Sequence, residues 1–279
     1  MNWKHLVSAA LVACLAMTLS GCGSSPDTKD TGKATSHITV FAAASMTETL
    51  NEIAAIYQTE HPDVEITYNF DSSGTLKKQI ENGAACDLFI SAAPKQMNQL
   101  DASQNEKNNP QKLDFIDPAT RINLLENKVV LVGANDNAKG IRDFDDWAAR
   151  MKSGDLRLVM GNSDVPVGQY TQKIMAYYKL DEQALAADGR ISYGSNVKEV
   201  TTQVLENSAD CGIIYATDAY SAGLKPIAAA TKDMCGQVIY PAAVLKESKN
   251  REAAAAFLQY LKGEEAMKIF EHVGFSRAG

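Results

Sequence analysis

Residues 37–279 predict an α/β fold with mainly parallel sheets. Three observations carry that prediction: apolar strand segments alternate with helical periodicity, the turns between them are short and built of small or hydroxyl residues, and Gly and Pro stand where helices stop and start. The first unit shows all of this. Ile38-Thr39-Val40-Phe41 reads as a strand and runs into Ala42-Ala43-Ala44-Ser45. Leu50, Ile53, Ala54 and Tyr57 then fall on one helical face. Ser45 stands at the N-cap position with Glu48 three residues later, the form of a capping box, although Glu48 is expected to point to solvent. Val64 to Tyr68 alternates like a second strand, and Asp71-Ser72-Ser73-Gly74 is a turn. Thr75 to Asn82 is a short helix stopped by Gly83. Asp87 to Ser91 is a buried strand, and Pro94 opens another helix.

Residues 101–118 are polar and predict a long surface excursion. Val129 to Val132 and Leu156 to Met160 are apolar strands. The second leads through Gly161–Gly168 into a helix from about Gln169. Val197, Val200 and Val204 repeat at helical spacing after Gly194-Ser195-Asn196. Gly212 to Tyr215 is a buried strand, and Ala254, Phe257, Leu258 and Leu261 form an amphipathic helix face.

Ahead of this region the chain reads differently. Lys4 and His5 precede an apolar run of 14 residues, Leu6 to Leu19, the length of a signal h-region and short for a membrane span. It ends Leu19-Ser20-Gly21-Cys22, which resembles the lipobox of bacterial lipoproteins. Residues 1–21 would be the signal peptide, and Cys22 the lipidated first residue of the mature chain. Residues 23–36 hold no large apolar side chain, so residues 22–36 are expected to be a flexible tether with a reach on the order of 20 Å. Of the five cysteines, Cys86, Cys211 and Cys235 remain in the folded region. A Cys211–Cys235 bridge and isolated buried thiols are both open, and the spacing matches no metal motif.

The net charge is −7 and the pI about 5.2, becoming about −8 once the leader with its single Lys is removed. An acidic chain is a poor nucleic-acid binder, and its overall field does not draw anions inward. An anionic ligand would have to be held by local donors. Four strand-to-helix turns could supply them: Ser45, Ser72-Ser73, Val165-Pro166-Val167-Gly168 and Ser195-Asn196-Val197. None carries Lys or Arg at its centre. Ligands in open α/β sheets bind at such turns, where helix N-termini offer free N–H groups and a positive dipole end. A pocket of donors alone favours an oxyanion with no proton of its own, such as sulfate, molybdate or tungstate, over phosphate. Taken singly, Ser45 and Ser73 read more simply as helix caps, Val167 and Val197 as packing residues, and Tyr215 as a core-edge residue. An enzymatic role for Ser45, with His37, His61 or His272 as base, lacks a G-x-S-x-G elbow.

In order and spacing, seven stretches resemble the molybdate-binding proteins of bacterial ABC importers: Ile38–Ser45, Phe70–Leu76, Gly83–Ala92, Val165–Gly168, Gly212–Tyr215, Tyr240–Val244 and Phe270–Phe275. The resemblance spans roughly residues 37–279 and implies a two-lobed type II periplasmic binding fold, each lobe a mainly parallel sheet flanked by helices. Lobe 1 would be 37–127 with 239–279 and lobe 2 128–238, with two hinge crossings near Asn127–Val132 and Val238–Pro241. Ser45 and Ser73 would donate to molybdate through hydroxyl and backbone, Val167 and Val197 through backbone N–H, and Tyr215 through its phenol. Asp71 and Gly74 depart from the family's pattern at the second turn. The implied function is extracytoplasmic capture of molybdate and tungstate by a lipid-anchored monomer, and delivery to an ABC permease with its ATPase. No enzyme activity, cofactor, cation site or nucleic acid is implied. The alternative is a binder of sulfate or another tetrahedral oxyanion.

Overall fold

The computed structural model describes residues 35–279. The expected signal peptide, Cys22 and nearly all of the tether lie outside the described residues. No helix among the described residues is long and apolar enough to cross a membrane.

The chain opens with strand β1 (Ser36–Ala43), a 3-10 turn (Ala44–Met46) and helix α1 (Thr47–Glu60). Then come β2 (Val64–Asp71), α2 (Ser73–Glu81), β3 (Leu88–Ile90), α3 (Pro94–Gln99) and β4 (Ile122–Asn127). These strands, with β10 (Val238–Val244) and β11 (Ser276–Arg277), form a six-stranded sheet of order β11-β4-β10-β3-β1-β2. Helices α10 (Arg251–Leu261) and α11 (Glu264–His272) belong to the same lobe. Between β4 and β10 the chain builds a second sheet, of order β7-β6-β8-β5-β9. It runs β5 (Val129–Gly133), α4 (Phe144–Ser153), β6 (Leu158–Gly161), α5 (Pro166–Tyr177), α6 (Glu182–Ala187), β7 (Ile191–Gly194), α7 (Val197–Leu205), β8 (Cys211–Tyr215), α8 (Ala216–Ser221), β9 (Pro226–Ala229) and α9 (Lys232–Cys235).

The predicted parallel pairing holds where strands are joined through helices: β1 with β2 and β3, and β6 with β7 and β8. The strands that carry the chain between lobes pair antiparallel: β10 with β3 and β4, and β5 with β8 and β9. Both sheets are therefore mixed.

Lys128 alone separates β4 from β5. The return crossing differs from expectation. Val238 already pairs with Asn127 in the six-stranded sheet, while Ala230 N–H still bonds Val129 O in the second lobe. The crossing therefore falls within residues 230–237, ahead of Val238–Pro241.

The central strands β3, β5, β6 and β8 bury both faces, and Val40, Ile90, Leu131, Leu158 and Ile213 are all fully enclosed. Each such side chain contributes about 1.5–3 kcal/mol of hydrophobic stabilisation. The 101–118 excursion is less superficial than its polarity suggests. Asp101 and Asn109 are buried. Arg121 pairs with Asp101 at 2.5 Å, and the Asn109 amide bonds the carbonyls of Asp101 and Leu113.

Candidate functional site

Four helices and one 3-10 turn begin around a single cavity between the lobes. Its wall comprises Ala43, Ala44, Ser45, Asp71, Ser72, Ser73, Ala92, Val165, Pro166, Val167, Val197 and Tyr215. All five residues singled out from the sequence (Ser45, Ser73, Val167, Val197 and Tyr215) line it. The cavity is small, about 10 Å³. That is below the several hundred Å³ typical of organic-ligand pockets and suits a compact ion.

Local sequence places each donor. Ser72 caps α2, its hydroxyl accepting Thr75 N–H at 3.2 Å. Ser73 is thus the first helical residue, and its own N–H has no intrahelical acceptor. Its hydroxyl accepts Ala92 N–H at 2.9 Å, so the Ser73 proton is available to a ligand. Helix α5 begins at Pro166, three residues earlier than the periodicity suggested, because Pro suits the first helical position and lacks the N–H that would go unbonded there. This early start puts the Val167 N–H in the first turn. Asn196 caps α7 by accepting Glu199 N–H at 3.1 Å, and Val197 is its first residue. Among the lining residues the only ionisable groups are Asp71 and Tyr215; no Lys, Arg or His is present.

Ser45 departs from its expected role. It lies inside the 3-10 turn, α1 starts at Thr47, and neither element has a side-chain cap. Its hydroxyl instead meets the Tyr240 hydroxyl at 2.9 Å. Asn127 Nδ2 donates to the same Tyr240 oxygen at 3.2 Å and to Thr217 Oγ1 at 3.0 Å. Burial pushes the Tyr240 phenol well above its ordinary value, so it keeps its proton. When Tyr240 donates that proton to Ser45 Oγ, the Ser45 proton is free to point into the cavity. Tyr240 and Asn127 were not marked as site residues in the sequence. Tyr240 was visible only as part of a matching stretch, and nothing local pointed to Asn127.

Tyr215 is fully buried at the start of α8, and its hydroxyl has no hydrogen-bond partner among the described residues. Tyr240 packs edge-on against it, with ring centroids 5.7 Å apart. Burial, with Tyr240 and Tyr170 alongside, raises the phenol well above its ordinary value. A proton-bearing donor without an acceptor, held against a cavity, is an unfilled half of a hydrogen bond.

Glu48 closes no capping box and is solvent-exposed, as expected, but it also has a partner in the other lobe. Both its oxygens lie 2.8 Å from Lys198 Nζ, across the cleft. Lys198 also stands 3.3 Å from Asp218, a buried carboxyl that burial lifts to about 6 against the pull of Lys198. A second cross-lobe pair joins Lys78 and Asp164 at 2.6 Å. Asp71 lines the cavity, but Asp71 Oδ1 accepts Ser72 N–H at 2.6 Å, as expected of a turn residue.

None of the histidines offered as a base reaches Ser45. His37 pairs with Glu65, His61 stacks on Tyr57, and His272 bonds Tyr220. Cys86, Cys211 and Cys235 are free thiols. Among the described residues no group of three His, Cys, Asp or Glu side chains could hold a metal ion.

Residues 38–276 match the family of bacterial extracellular solute-binding proteins. The molybdate-binding protein ModA of Escherichia coli (strain K12) is 36% identical over 250 residues, covering 86% of this chain and 88% of that one. YvgL of Bacillus subtilis (strain 168), provisionally described as an ABC transporter substrate-binding lipoprotein, is 32% identical over 272 residues, covering 96% of each chain. The solved periplasmic molybdate-binding protein of Azotobacter vinelandii superposes with a TM-score of 0.73 over 87% of this chain and 100% of its own. At 21% identity it shows the two-lobed fold alone.

Proposed function

From the premise that this chain belongs to the bacterial extracellular solute-binding proteins, which bind solutes and are not enzymes, we propose that it captures molybdate, and tungstate with it, for an ABC importer. The observation that carries the reading is the unpartnered Tyr215 phenol in a compact cavity of donors with no cationic side chain. The names of its relatives, molybdate-binding among them, point to the same ligand.

In this reading lobe 1 presents the hydroxyls and N–H groups of Ser45 and Ser73. Lobe 2 brings the N–H groups of Val167 and Val197 and the Tyr215 phenol. Closing the hinge completes a cage in which helix N-termini supply positive dipole ends. The ion needs no resident cofactor or cation. A protonated oxyanion fits badly, because its own proton faces donors.

The chain acts as a monomer outside the cytoplasm, tethered by lipid on Cys22 in Leu19-Ser20-Gly21-Cys22. The provisional lipoprotein description of YvgL supports that anchor. A permease in the same membrane reads the closed form.

Calorimetric titration of the full chain in detergent with molybdate, tungstate, sulfate and phosphate tests this. One-to-one binding of the first two, with sulfate at least tenfold weaker, supports the assignment. A preference for sulfate or phosphate overturns the ligand and leaves the binding fold in place.

A further inference from the structure

A groove of about 680 Å³ opens beside the ion cavity. Pro166 lines both spaces, and Ala93 of the groove adjoins Ala92 of the cavity. Three lysines face the groove from both lobes: Lys95 on α3, Lys107 in the 101–118 excursion and Lys173 on α5. No Asp or Glu lines it. All three are exposed. Lys95 and Lys107 form no ion pair among the described residues. Lys173 Nζ reaches only the Cys235 carbonyl, at 3.3 Å, and the face of Tyr170. A neighbouring cleft of about 170 Å³ is lined by Lys77, Lys78 and Lys95, of which Lys77 is paired with Glu81 and Lys78 with Asp164, so Lys95 alone adds unpaired charge there among the described residues.

This groove runs against the composition of the chain, whose net charge is −7. It also complements what the cavity lacks. Short-range donors hold an ion that has arrived but exert little pull at a distance, and the acidic surface repels dianions. Unneutralised lysines gathered in a cleft between low-dielectric walls focus the field there and raise the local concentration of anions. Because they remain solvated, they trap no ion permanently.

Building on the oxyanion-binding reading above, we propose that the Lys95–Lys107–Lys173 groove is an encounter site for divalent oxyanions, which collects them before they pass Pro166 into the cavity. Its lysines set the association rate and leave the dissociation rate to the cavity.

Stopped-flow fluorescence of the full chain in detergent, mixed with molybdate and separately with sulfate across ionic strength, provides the test. The Lys95→Gln/Lys107→Gln/Lys173→Gln variant should associate about tenfold more slowly than the unaltered chain at low salt, a size within the range of electrostatic steering. Its dissociation rate should stay within twofold, and the difference should vanish near molar salt, where the Debye length is about 3 Å. The Lys95→Gln/Lys107→Gln variant, which removes no hydrogen bond among the described residues, should show about a threefold loss and guards against misfolding at Lys173. Equal association rates at every salt concentration overturn the encounter site. Equilibrium titration of the unaltered chain judges the molybdate assignment separately, and the sulfate arm still tests the groove should sulfate prove to be the ligand.

Discussion

Gly74 and Asp164 meet backbone to backbone across the cleft. A Cβ built on Gly74 would fall on the Asp164 carbonyl group, 2.9 Å from its carbon. Gly74 is the second residue of α2, beside Ser73, and Asp164 leads into α5 just ahead of Val167. This close approach of the lobes lies directly beside the proposed ion donors, and the glycine that looked like a departure from family pattern in the sequence is what permits it. Neighbouring Lys78 pairs with the Asp164 carboxylate at 2.6 Å, so one short segment carries both a contact and an ion pair of the closed form.

Gly74→Ala should therefore hold the lobes apart. The expected result is at least a tenfold loss of molybdate affinity with little change in the melting temperature of the ligand-free protein, since Ala is a good helix former. Small-angle scattering checks the cause: the unaltered chain should compact on adding ligand and the variant should not. Compaction of the variant would refute the steric account.

Tyr215→Phe should have opposite effects with and without ligand. Removing a buried hydroxyl that has no partner leaves the ligand-free protein equally stable, or more stable by about 1 kcal/mol. Losing a hydrogen bond to a charged ligand weakens binding by about 1.5–3 kcal/mol. Urea unfolding and calorimetric titration read the two effects. A destabilised ligand-free variant with unchanged affinity would reduce Tyr215 to a packing residue.

Tyr240→Phe tests the relay from Asn127 through Tyr240 to Ser45. Affinity should fall about five- to tenfold although the Tyr240 side chain does not line the cavity. In a double-mutant cycle with Ser45→Ala the effects should be non-additive by about 1 kcal/mol, because both changes act on one hydrogen-bond chain. Additivity would mean that Ser45 is oriented without Tyr240.

Asp218 gives the fold a defined pH dependence. Its carboxyl is lifted to about 6 in the folded protein from an ordinary value of 3.8. The folded state therefore binds this proton more tightly than the unfolded state does. The group's favourable contribution is full below 3.8 and disappears as pH rises through 6. Relative to Asp218→Asn, the unaltered chain should gain on the order of 3 kcal/mol in unfolding free energy as pH falls from 7 to 4. A difference between the two that stays flat with pH would show that Lys198, 3.3 Å away, keeps the carboxylate ionised.

Much of the donor set was readable because its signals are local. A small-residue turn after an apolar strand, a Ser or Asn one residue before a helical face, and a Pro at a helix start each fix a backbone N–H without reference to the rest of the chain. The turns that hold Ser73, Val167 and Val197 could be found on that basis, while the residues themselves were singled out by the family resemblance. The same local reasoning failed for Ser45, whose expected capping role gave way to Tyr240, 195 residues away, and it could not foresee that the exposed Glu48 meets Lys198, 150 residues away. It also missed Asn127, which reaches Tyr240 across 113 residues, and Asp218, whose burial follows from packing beneath Lys198.

The sequence by itself determined the alternation of strands and helices and which helix N-termini carry free donors, since both depend on residues within a turn or two of each other. Only the tertiary structure decided that those termini converge on one cavity, that Gly74 lets the lobes meet there, and that lysines from three separate segments gather in a groove beside it in an acidic chain. Charge and distance across a cleft are properties of positions in space, and the chain separations involved leave them no periodic trace in the order of residues.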